Sequence, residues 1–89
     1  MNVRVLASAL KHGLTEEDVL YACVNAIKWA TVEKSGNING EVEFVLGALP
    51  NGNLCELLTT LSFDEETVIV FHANTPPGHD FMKKLEERK

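Results

Sequence analysis

Cysteine is scarce in these 89 residues: Cys23 and Cys55 form no CxxC pair, so neither a disulfide-rich scaffold nor a compact zinc site is built in. One disulfide is the most they permit, and their apolar surroundings in the sequence favour two buried free thiols. Basic residues are also few. Eight Lys and Arg against thirteen Asp and Glu give a charge of −5, which opposes generic attraction to nucleic acid or an anionic membrane but leaves room for a local basic site. Long apolar runs are missing: Ser8 interrupts the stretch from Val5 to Leu10, and Glu16, Glu17 and Asp18 soon follow. Neither a secretory signal nor a membrane span is expected, and a reducing cytoplasm is the expected location. No phosphate-binding loop and no local Ser/His/Asp signature occurs, which argues against a nucleotide-fuelled enzyme.

What is present suits one small ordered domain over residues 1–89, with 45% apolar residues, three prolines and six glycines. A chain this short buries a modest core, so a protein partner or a homodimer is expected to cover more of it.

The spacing predicts a helix over residues 5–12 ending at Gly13, and a second over 16–27. Thr15 can cap the amide of Asp18, Asp18 can reach back, and Leu14 and Val19 occupy the staple positions. The acidic trio Glu16, Glu17 and Asp18 thus serves the helix dipole rather than a metal. An extended pattern starts at Trp29 and reaches a turn over Ser35–Gly40. Residues 42–48 alternate, with the Val45 and Gly47 side partly exposed. Leu49-Pro50-Asn51-Gly52-Asn53-Leu54 reads as a hairpin. Strands are expected from Cys55 to Phe63 and over Thr67–Ala73, the latter as the central one because Val68, Ile69, Val70 and Phe71 are consecutive. Pro76 and Pro77 stop it, and a helix from about His79 carries the stripe Phe81, Met82 and Leu85. The expected fold is α+β: two N-terminal helices, a three- or four-stranded mainly antiparallel sheet and a C-terminal helix.

Charge is unevenly spread. Arg4 and Lys11 give residues 1–14 a charge of +2, two lysines and ten acids give residues 15–77 −8, and residues 78–89 carry +1. If the chain ends meet the exit of the Thr67–Ala73 strand, Arg4, Lys11, His12, His72, His79, Lys83 and Lys84 converge into one basic patch. Such a patch has the ingredients for attack of an RNA 2′-hydroxyl on its phosphorus: His72 and His79 to exchange protons, and Arg4, Lys11, His12 and Lys83 to hold phosphate. Each also has an ordinary use, as an edge histidine, a helix-end cation or a solvated surface. No metal and no cofactor is required.

The segments Lys11-His12-Gly13-Leu14-Thr15-Glu16-Glu17-Asp18-Val19, Asn25-Ala26-Ile27, Gly52-Asn53-Leu54-Cys55-Glu56-Leu57 and Val68-Ile69-Val70-Phe71-His72-Ala73 resemble small BrnT-like toxin-family proteins over most of residues 8–85. The resemblance implies a RelE-like ribonuclease fold, metal-independent RNA endonuclease activity and inhibition by a bound antitoxin. One departure matters: where such relatives carry arginine and lysine after the His-Ala pair, this chain has Pro77 and His79. That weakens phosphate binding and keeps two rivals open, a noncatalytic protein-interaction module on the toxin-like scaffold and a small-molecule enzyme with an apolar pocket at His72.

Overall fold

The computed structural model describes residues 2–32, 42–64 and 66–87. The chain runs β1 (Asn2–Val5), a single 3₁₀ turn (Ala7–Leu10), α1 (Glu16–Val24), β2 (Ala26–Val32), β3 (Val42–Ala48), β4 (Leu54–Leu61), β5 (Thr67–Asn74) and α2 (His79–Glu87). The five described strands form one mixed sheet in the order β1-β5-β4-β3-β2, with β1 parallel to β5 and every other pair antiparallel.

This corrects the expected two N-terminal helices over three or four antiparallel strands. The alternation of Val3 and Val5 wins over the helix formers that follow: residues 2–5 join the sheet beside residues 67–70, and the Leu6 amide donates to the Val70 carbonyl. Only a four-residue 3₁₀ turn remains of the helix expected over 5–12. The second helix starts as expected. Thr15 Oγ1 accepts from the Asp18 amide at 3.1 Å, and Asp18 Oδ2 accepts from the Thr15 amide at 3.2 Å. It stops early, however, because Asn25 leaves helical geometry and caps Tyr21 O with both backbone and side chain. The β-branched and aromatic residues beyond it then extend as β2, three residues ahead of the expected start at Trp29. The Ser35–Gly40 turn lies outside the described residues.

Both sheet faces are covered in part. On one, α1 packs Val19 and Ala22 onto Val45, Cys55, Leu57, Val70 and Ala73. On the other, α2 packs Phe81 and Leu85 onto Ala30 and Leu46, with Phe81 stacked on Phe44 at 5.1 Å between ring centroids. On the Val45 and Gly47 side of β3, Val45 and Gly47 are buried while Glu43 stays partly exposed. The middle strand is β4, with the apolar β5 beside it and flanked by β1 and β4. The hairpin turns as expected, with Gly52 at φ +88°. No described helix is long and apolar enough to cross a membrane.

Candidate functional site

The site is set by an irregularity in β5. Its register passes from Val70 opposite Thr59 to His72 opposite Leu58, which leaves Phe71 as an extra residue. In a regular strand Val70 and His72 would share a face. Here Val70 packs under α1, while His72 lies across from Leu58 on the α2 face. The Ser8 hydroxyl holds the bulge by donating to the Phe71 carbonyl at 2.7 Å.

Glu56 stands two residues before Leu58 and therefore on the same face. It is buried, and each carboxylate oxygen has a partner: the Gly78 amide donates to Oε1 at 2.6 Å, and Oε2 meets His72 Nε2 at 2.8 Å. Gly78 immediately precedes α2, where the helix dipole favours negative charge. The Thr75 hydroxyl, donating to the Leu54 carbonyl at 2.7 Å, ties the intervening loop to β4. With the carboxylate accepting, Nε2–H of His72 donates and Nδ1 is left for proton exchange. His12 completes the group: its ring meets that of His72 edge-on, 5.6 Å between centroids and 70° between planes.

Of the residues singled out by sequence, the structure thus joins His72 to His12, and Lys11 is exposed beside His12. Arg4 shares their side of the sheet, since it pairs with Ile69, Ile69 with Thr60, and Thr60 alternates with Leu58. Its partner Ile69 stands three residues before His72 on β5. His79 and Lys83 instead line a shallow depression along α2 with Met82 and Glu86. The ring that meets His72 is that of His12, and His79 follows Gly78, whose amide shares the Glu56 carboxylate with His72. Sequence reasoning missed Glu56 altogether, although a lone carboxylate between Leu54 and Leu58 on one face of an apolar strand was the available signal. Among the described residues, no three His, Cys, Asp or Glu side chains converge as a metal-binding group.

The thiols stand apart from this chemistry. Burial pushes Cys55 up to about 11, and burial followed by the charge of Glu43 raises Cys23. At pH 8 only about one Cys55 in a thousand is a thiolate. Alkylation followed by mass spectrometry should label Cys23 slowly and Cys55 only on unfolding; rapid double labelling of the native chain would contradict this burial. The folded state holds the Cys55 proton more tightly than the unfolded state, so this contribution to stability is full below pH 9.0 and is lost as pH rises through about 11.

No protein-family model, curated protein or solved structure matches the chain.

Proposed function

We propose that the protein is the toxin component of a toxin–antitoxin pair, a metal-independent RNA endonuclease acting through His12 and His72. The observation that carries this reading is the contact between two imidazoles, one oriented by a buried carboxylate and the other exposed. The BrnT-like segments, which contain both histidines, support it. One histidine takes the 2′-hydroxyl proton as the 2′-oxygen attacks phosphorus. The other gives a proton to the 5′-oxygen as the P–O5′ bond breaks, leaving a 2′,3′-cyclic phosphate and a 5′-hydroxyl. Arg4 and Lys11 supply the positive charge that Pro77 and His79 do not. On this reading the protein works in the cytoplasm and is held inactive by its antitoxin.

The test is incubation of purified, partner-free protein with structured and single-stranded RNA, with and without chelator. Cleavage should survive chelation and yield cyclic phosphate ends. His72→Ala and His12→Ala should each slow it by about a hundredfold, while His79→Ala changes it little. Intact RNA in all conditions, or undiminished cleavage by both of the first two variants, would sink the reading.

A further inference from the structure

On the sheet face opposite His72, α1 covers only part of the strands. Beyond it lies an open groove of about 310 Å³, floored by Val3, Val68, Thr59 and Val45 and walled by Val24 of α1 and Trp29 of β2. Val24 is 77% and Trp29 62% exposed, and Leu61, paired with Val68 at the same end, is 48% exposed. Large apolar side chains gathered in this way mark an interaction surface rather than a solvated face.

We propose that this groove receives an amphipathic helix of a partner protein, apolar along one stripe and flanked by Lys or Arg. Helices already cover the rest of this face and much of the other. The open part crosses all five strands, about 19 Å, the length of roughly 13 helical residues. Charge selects the partner. Among the described residues Glu43 is the one charged residue in the lining, and Asp64 and Glu66 stand in the turn just beyond Leu61 and Val68. A second copy of this chain, itself at −5, would set carboxylates against carboxylates. The inference goes beyond RNA cleavage and does not depend on it, because groove and histidines lie on opposite faces.

Trp29 is the only tryptophan, so its emission reports on the groove directly. The full chain is titrated with a Leu/Lys amphipathic peptide of about 14 residues and, separately, with its Leu/Glu counterpart. The Leu/Lys peptide should give a saturable blue shift and the Leu/Glu peptide none. Val24→Asp, an exposed position that leaves the core intact, should weaken binding about tenfold or more, and Glu43→Lys several-fold. The proposal is overturned by the absence of a shift, by an equal response to both peptides, by undiminished binding to Val24→Asp, or by a blue shift on concentrating the protein alone, which would place a second copy in the groove. RNA cleavage measured on the same variants reads the other face and should not change.

Discussion

Gly47→Ala should destabilise the protein by about 3 kcal/mol or more, enough to lower its melting temperature by well over 10 °C. Gly47 is buried in β3 directly beneath α1, and a methyl group built there would stand 2.2 Å from the Ala22 carbonyl oxygen and 2.8 Å from its carbon. Those are backbone atoms, so no side-chain rotation relieves the clash; the helix must lift. Lifting is opposed at both ends, by the Thr15–Asp18 capping box and by Asn25, which feeds straight into β2. A raised α1 would also open the contacts of Val19 and Ala22 with Val45 and Leu57. Gly52→Ala is the comparison. There the backbone has φ +88° but nothing lies within 4 Å, so the cost should be only the left-handed strain of about 1–2 kcal/mol. Denaturant titration of both variants measures the difference. Equal losses would mean that helix and sheet are not pressed together at Gly47.

The same close approach shows which parts of this fold can be read from sequence and which cannot. The capping box at Thr15, the Gly52 turn and the stripe of α2 are local: each depends on residues within a few positions of one another. The β3–β4–β5 meander follows from alternation and turn chemistry in the same way. The parallel pairing of residues 2–5 with 67–70 joins the two ends of the chain, and nothing in Val3-Arg4-Val5 names its partner. A continuous apolar β5 was consistent with neighbours on both sides, but not with the identity of either. At Asn25 a helical pattern of apolar residues continued across Ala26 and Ile27, and the tertiary demand for an edge strand beside β3 overrode it. The candidate site was legible in its residue types and not in its assembly. His12 and His72 were both visible as histidines beside expected element ends, yet the bulge at Phe71, which aims His72 at Glu56, has no sequence signature in a run of strand formers.

On the proposed mechanism Glu56 acts through the His72 ring it contacts, so its two substitutions should separate stability from chemistry. Glu56→Ala removes the acceptor for both the Gly78 amide and His72 Nε2 in a site that is only 8% exposed, and leaves a void beneath the start of α2. A loss of about 2–4 kcal/mol is expected, from an unpaired amide together with lost packing. Glu56→Gln keeps the volume, and its amide oxygen can still accept from Gly78, so the loss should be nearer 1 kcal/mol. Its NH₂ group, however, now points a donor at His72 Nε2. That nitrogen must then accept, and the ring proton moves to Nδ1, the atom the proposed reaction uses for exchange. Folding should therefore survive in Glu56→Gln while RNA cleavage falls about a hundredfold, as it does for His72→Ala. The ¹⁵N shifts of the His72 ring report the exchanged tautomer independently of activity, which a merely structural effect of the glutamine would not produce. Full cleavage by Glu56→Gln with the tautomer reversed would show that Glu56 only pins α2 to the sheet. An unreversed tautomer would mean that the glutamine amide has turned to present its oxygen to His72, in which case cleavage should be retained and the cost should appear at the Gly78 amide instead.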